Sequence, residues 1–143
     1  MFSYLTGISL VQIFSSLLHG AGIFNIAPYH YLLYSDIPNF FNKAILPGWP
    51  YANFQIEYPV IIGLFIRAMG LLGGTLRGYY IASSVTLILL ALFSTFLLYK
   101  IVRSEDRKKI WRYWILAPSM LIFGIYNWDM LAIVCVVTAM YLV

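Results

Sequence analysis

Hydrophobic residues along this chain fall into four stretches separated by shorter polar segments. The stretches cover residues 2–24, 58–72, 79–99 and 113–143, and the sequence YNWD at 126–129 interrupts the last one. The first and third are each about 20 residues long, which at 1.5 Å per residue is enough to cross a hydrocarbon core of ~30 Å. YNWD predicts a tight turn between two further helices, 113–125 and 129–143.

The second stretch is too short to be predicted as a membrane-crossing helix. It has about 15 residues, which span less than the hydrocarbon core. It also contains Arg67, and Gly73 and Gly74 follow it directly. These features predict a helix that lies along the membrane surface instead of crossing it.

Composition supports an integral membrane protein. The chain has 143 residues, of which 62% are hydrophobic and 10% charged, values outside the range of soluble globular domains. The predicted fold class is therefore all-α and membrane-embedded, with about four transmembrane helices and without a large extramembrane domain. The single cysteine, Cys135, excludes an intrachain disulfide.

The distribution of positive charge predicts the orientation of these helices. Of nine lysines and arginines, six lie between residues 100 and 112, a pattern typical of a cytoplasmic loop and not of a nucleic-acid site. If 58–72 does not cross the membrane, the N-terminus and this loop share the cytoplasmic side. Residues 25–78 then form a long external loop with interfacial helices, and the protein is multi-pass, in a prokaryotic plasma membrane or the endoplasmic reticulum.

The same topology brings three of the five acids to the external side. They are Asp36, Glu57 and Asp129, whereas Glu105 and Asp106 lie within the basic loop. Carboxylates close to a membrane are costly and often functional. Trp49 and Tyr51 of the segment PGWPY suit either the membrane interface or the flat face of a sugar ring. Carboxylates together with such aromatics can bind a hydroxyl-rich substrate.

Several short motifs resemble a known family. In chain order they are YSDIPNFF, PGWPY, EYPVIIGLF, LLYK before the basic loop, and NWDML. This order resembles the N-terminal portion of the GT-C membrane glycosyltransferases, in particular mannosyltransferases that use polyprenyl-phosphate-linked mannose, including the first mannosyltransferase of GPI-anchor synthesis.

The resemblance implies transfer of a mannose-like hexose from a polyprenyl-phosphate donor to a glycan or lipid hydroxyl on the external or lumenal face. Asp36 is then the catalytic base. The expected substrate-binding residues are Glu57, Tyr58, Arg67, Arg77 and Asp129. Arg67, Arg77 or Lys43 would stabilise the charge of the leaving phosphate, and a divalent cation, Mg²⁺ or Mn²⁺, held by Asp36 and Glu57 is the alternative. Family members often carry a DxD motif, of which Asp36-Ile37-Pro38 keeps the first acid.

Structural roles compete with these chemical ones. Asp36, Glu57 and Asp129 each precede a predicted helix and could cap it, and Arg67 could extend to lipid headgroups. GT-C enzymes have about twice as many helices, and the apolar run that reaches Val143 has no polar cap, so we expect a truncated chain. A non-catalytic membrane scaffold or accessory subunit is the alternative function.

Overall fold

The computed structural model describes residues 1–20 and 35–143, and these residues are helical, without strands. The end of the predicted first membrane helix and the start of the predicted external loop, residues 21–34, lie outside the described residues. A 3₁₀ turn, Ser104–Asp106, precedes the short helix Lys108–Ile110, and a π-helical turn, Trp111–Ile115, follows it. The α-helices are α1 (Phe2–Gly20), α2 (Asp36–Asn39), α3 (Phe41–Ala44), α4 (Val60–Gly73), α5 (Leu76–Ile101), α6 (Lys108–Ile110), α7 (Pro118–Phe123) and α8 (Asp129–Leu142).

Helix α5 is the centre of the fold and packs against α1, α4 and α8. Its contacts with α1 show that the two helices are antiparallel. The rings of Tyr4 and Tyr99 lie 5.5 Å apart at one end, and the Tyr80 hydroxyl donates a hydrogen bond of 2.6 Å to the Ser16 carbonyl at the other.

The two long helices bury polar side chains and expose apolar ones. In α1, Gln12 and Ser15 are fully buried, whereas Leu10 and Leu17 are each 63% exposed. The same holds in α5, where Ser83, Ser94 and Thr95 are buried while Ile81, Val85 and Leu89 face outwards. Helices that face lipid and pack through small residues have this pattern.

Two of the predicted membrane helices are confirmed as helices long and apolar enough to cross a bilayer. They are Phe2–His19 within α1, and α5, Leu76–Ile101. The latter extends beyond the predicted 79–99 because Thr75 caps it, accepting a hydrogen bond of 3.1 Å from the Gly78 N–H. Helix α8 begins at Asp129, as predicted, and has 14 residues.

The prediction of one continuous helix over 113–125 is wrong. The π-helical turn ends at Ile115, Ala117 is extended with ψ 130°, and α7 begins anew at Pro118. Proline has no N–H to donate to the preceding turn and disfavours helical geometry in the residue before it. The chain is therefore divided into two short helical pieces at this point.

The short second stretch forms α4, with 14 residues or about 21 Å of helix. It ends at Gly74, whose φ of 64° is left-handed and typical of a helix C-terminus. Its length agrees with the prediction that it is too short to span a bilayer of ~30 Å.

The loops gather at the two ends of α5. Near the start of α5, the ring of Phe41 contacts that of Tyr79. Near the end of α5, Tyr99 contacts Tyr4, which in turn contacts Trp111. We call these the Asp36 end, with residues 35–59 and 126–129, and the basic end, with residues 100–112. The 26 residues of α5 separate them by roughly 39 Å.

Candidate functional site

Asp36 opens α2 but does not cap it. The cap is Ser35, whose hydroxyl oxygen accepts from the Ile37 N–H at 3.3 Å and donates to the Tyr126 carbonyl at 2.9 Å. The capping hypothesis for Asp36 is therefore corrected, because a neighbouring hydroxyl already supplies the bond that a carboxylate would have made.

The Asp36 carboxylate is instead bound by a tyrosine from a distant part of the chain. The Tyr58 hydroxyl donates to Asp36 Oδ2 at 2.9 Å, and the main-chain N–H of Asp36 donates to the Tyr126 carbonyl at 2.9 Å. Both Asp36 and Tyr58 are half-buried. Three segments separated in sequence thus converge on Asp36, one through its carboxylate and one through its main-chain N–H, and the YNWD turn lies beside it.

Beside this carboxylate lies a cluster of three rings, Phe40, Tyr58 and Trp128, which we call the aromatic triad. Trp128 lies 4.9 Å from Tyr58 and 5.1 Å from Phe40, both edge to face, and Phe40 lies 5.4 Å from Tyr58. Trp128 is 1% exposed, and its indole N–H has no hydrogen-bond partner among the described residues. The rings fix the position of the Tyr58 hydroxyl on Asp36.

Tyr126 completes the surroundings of Asp36. Burial, followed by the negative charge of Asp36, raises the pKa of Tyr126. Its hydroxyl therefore stays protonated at neutral pH. Its ring lies 6.0 Å from that of His19, which contacts the Ile122 carbonyl at 2.7 Å and so links the site to α1.

Tyr58 is positioned by Tyr51, whose backbone is strained. Tyr51 has φ 67°, and its hydroxyl contacts the carbonyls of Tyr58 at 2.5 Å and Pro59 at 3.0 Å. A non-glycine residue in this region costs about 1–3 kcal/mol. From sequence, Tyr51 was a candidate for the membrane interface or a sugar ring; its position shows a structural role at the start of α4.

Glu57 lies in a different environment from Asp36. It forms an exposed ion pair of 3.3 Å with Lys43, which also lies over the Phe40 ring at 5.1 Å. Glu57 does not cap α4, because the N-cap residue is Pro59, which makes no side-chain hydrogen bond. The capping hypothesis for Glu57 is therefore corrected as well. The described residues contain no group of three potential metal ligands. A divalent ion at Asp36 and Glu57 stays a prediction.

The two candidate arginines are used differently. Arg67 is half-buried, and its Nη1 donates to the Ala44 carbonyl at 2.9 Å, which joins α4 to α3. Arg77 is exposed and lines a cavity of about 420 Å³ together with Pro38, Leu76 and Tyr80. Because Pro38 belongs to α2, this places Arg77 at the Asp36 end.

Asp129 is the first residue of α8, and its N–H donates to Asn127 Oδ1 at 3.1 Å. The N-cap is Trp128, so the predicted capping acid lies one residue inside the helix, where it still favours the positive end of the helix dipole. Asp129 is exposed and lines a separate cavity of about 440 Å³.

Comparison with protein-family models, curated proteins and solved structures found no significant match to this chain. The resemblance to GT-C glycosyltransferases accordingly stays a prediction.

Proposed function

We propose that this chain is part of a multi-pass membrane glycosyltransferase that moves a mannose-like hexose from a polyprenyl-phosphate donor to a glycan or lipid hydroxyl. The observation that carries the proposal is the half-buried Asp36 carboxylate, held by Tyr58 against the aromatic triad. It lies at the end of α5 opposite the basic loop. Proton abstraction from a hydroxyl requires a positioned base such as this carboxylate, and neighbouring aromatic rings suit the apolar face of a sugar.

In the proposed reaction, the oxygen of the acceptor hydroxyl attacks the anomeric carbon of the donor. Asp36 accepts the proton of that hydroxyl during the attack. The new carbon–oxygen bond forms while the bond from that carbon to the phosphate oxygen breaks. The electron pair leaves with the polyprenyl phosphate. The Tyr58 hydroxyl keeps the carboxylate oriented during this step.

The leaving phosphate needs positive charge nearby. Arg77 is the predicted cation best placed for this, because it is exposed on a cavity shared with α2. Arg67 and Lys43 are engaged with the Ala44 carbonyl and Glu57 respectively. In the proposed step Arg77 therefore stabilises the phosphate charge, and a divalent ion held by Asp36 and Glu57 stays the alternative.

The test is transfer of radiolabelled hexose from a polyprenyl-phosphate donor by the full-length protein in liposomes. We expect Asp36→Asn to lower the rate by about 10²–10⁴-fold, the usual contribution of a general base. Glu105→Gln is the matched control, because it changes an exposed acid to an amide at the basic end. Unchanged transfer by Asp36→Asn would contradict the assignment, and absence of transfer by the wild type would favour an accessory subunit.

A further inference from the structure

Two adjoining cavities form a groove along residues 106–124 and α8. The cavity nearer the basic end, which we call the lower cavity, has a volume of about 420 Å³ and lies between the end of α5 and residues 106–114. The cavity nearer Asp129, which we call the upper cavity, has a volume of about 440 Å³ and lies between residues 113–124 and α8. Tyr113 and Trp114 line both, so the two cavities adjoin at these residues.

The groove is apolar along its length and differs in charge at its ends. Residues such as Leu98, Val102, Met120 and Ile133 form its walls. Lys109 and Asp106 line the lower end, and Asp129 lines the upper end. An anionic group would be repelled from the upper end and attracted to the lower one.

Positive charge is concentrated at that lower end. Lys109 bonds Asp106 at 2.7 Å, but an ammonium has three donors and keeps two for other partners. Arg112 does not itself line the groove, but its guanidinium lies 5.4 Å from the centre of the ring of Tyr113, which does. Residues 100–112 contain six basic and two acidic residues, a net charge of +4.

The groove runs from the basic end to Asp129, which belongs to the Asp36 end. An acyl chain entering at the basic end would therefore extend between residues 113–124 and α8, with its terminus directed towards Asp129.

We propose that this groove is a selective binding site for an anionic phospholipid, with an acyl chain between residues 113–124 and α8 and the headgroup phosphate on Lys109 and Arg112. The proposal requires the chain to be embedded in a membrane but does not depend on glycosyl transfer. It assigns the basic end a lipid-binding role in addition to setting orientation.

The first experiment measures selectivity. Delipidated full-length protein is titrated with phosphatidylglycerol and with phosphatidylcholine of the same acyl chains, and bound lipid is counted by native mass spectrometry. We expect tighter binding of phosphatidylglycerol, weakened by 1 M salt. The double variant Lys109→Gln/Arg112→Gln should lose about fivefold in affinity for each cation removed, whereas Lys109→Arg/Arg112→Lys should keep the preference.

A matched control separates the groove from general charge attraction. Lys100→Gln/Arg103→Gln removes the same charge from the same end, but neither residue lines the groove. We expect it to weaken phosphatidylglycerol binding less than Lys109→Gln/Arg112→Gln does. Equal losses in the two double variants, or equal affinity for the two lipids in the wild type, would overturn the proposal.

The second experiment locates the acyl chain. Lipids brominated in the acyl chain quench nearby tryptophans, and the contribution of Trp114 is the difference between the wild type and Trp114→Phe. We expect brominated phosphatidylglycerol to quench Trp114 at a lower mole fraction than brominated phosphatidylcholine. Ile133→Phe, which fills the groove, should reduce this quenching, and Val136→Phe on the exposed face of α8 should not. Equal quenching in both variants would exclude the groove.

Discussion

The Tyr58 side chain contributes to the candidate site through both its ring and its hydroxyl. The ring packs edge to face on Phe40 and Trp128, and the hydroxyl donates to Asp36. A hydrogen bond to a charged group is typically worth about 1.5–3 kcal/mol. Removing the hydroxyl while keeping the ring therefore separates the chemical role from the packing.

For Tyr58→Phe we expect the rate of hexose transfer to fall by roughly tenfold or more, because Asp36 loses the donor that orients it. The Michaelis constant should change little, and the melting temperature should fall only by the loss of this one hydrogen bond, since the aromatic packing remains. The measurement is steady-state kinetics beside thermal unfolding in the same detergent.

Tyr51→Phe is the matched control for that substitution. It also removes one hydroxyl, but the lost bonds go to main-chain carbonyls at the start of α4. We expect both variants to lower the melting temperature, but Tyr51→Phe to lower the turnover number less than Tyr58→Phe does. An equal or larger loss of turnover in Tyr51→Phe would show that the Tyr58 hydroxyl has only a structural role.

Residue types and positions predicted part of this site. Asp36 and Tyr58 stood out because a carboxylate and an EYP element are unusual beside apolar helices. The contribution of Tyr126 and Trp128 was missed, since YNWD was interpreted only as a turn. Their aromatic character was the available signal, but which rings meet Asp36 is decided by how α1, α5 and α8 pack, and no local pattern reports that.

At the scale of elements, α4 is held to α3 by close packing and one polar contact. A Cβ added at Gly70 would lie 2.6 Å from the Ala44 carbonyl oxygen and 2.7 Å from the Ala44 Cβ. Arg67 donates to the same carbonyl at 2.9 Å. A small residue at position 70 is thus what allows the helices to approach and the bond to form.

We expect Gly70→Ala to destabilise the protein although alanine favours helix formation. Overpacking against the Ala44 backbone costs about 1–3 kcal/mol, and the gain in helix propensity recovers about 1 kcal/mol. Thermal unfolding in detergent measures the net effect, and Ala68→Val, on the exposed face of α4, should change the melting temperature less. An unchanged or higher melting temperature for Gly70→Ala would contradict this packing.

Some element boundaries were predicted correctly from the sequence and one break was missed, and each outcome has a physical reason. The short length of α4 and the start of α8 at Asp129 follow from hydrophobic runs with clear limits. The break before Pro118 was missed because the run from 113 to 125 is predominantly apolar, and hydrophobicity was given more weight than the proline. The missing N–H of Pro118 decides the local geometry, whatever the surrounding hydrophobicity.

At the scale of the whole molecule, the fold separates two chemically different ends. Charge patterning predicted that Asp36 and the 126–129 turn lie together and that the basic residues lie opposite, and the structure has this arrangement. It depends on α5 running between the ends and on α1 returning antiparallel to it. The sequence could not show which polar side chains of these two helices are buried, because neither helix has a pronounced apolar stripe.

The membrane orientation of the two ends is the last testable prediction. After Cys135→Ser, single cysteines replace Asn42 at the Asp36 end and Lys108 at the basic end, both exposed. The positive-inside rule predicts that a membrane-impermeant maleimide added outside intact cells labels position 42 and leaves position 108 unlabelled until the membrane is permeabilised. Cysteines at Asn53 and Ser104 are the matched controls and should follow positions 42 and 108, respectively. Labelling of positions 42 and 108 from the same side would place both ends in one compartment, in which case α5 does not cross the bilayer and the proposed external site is wrong.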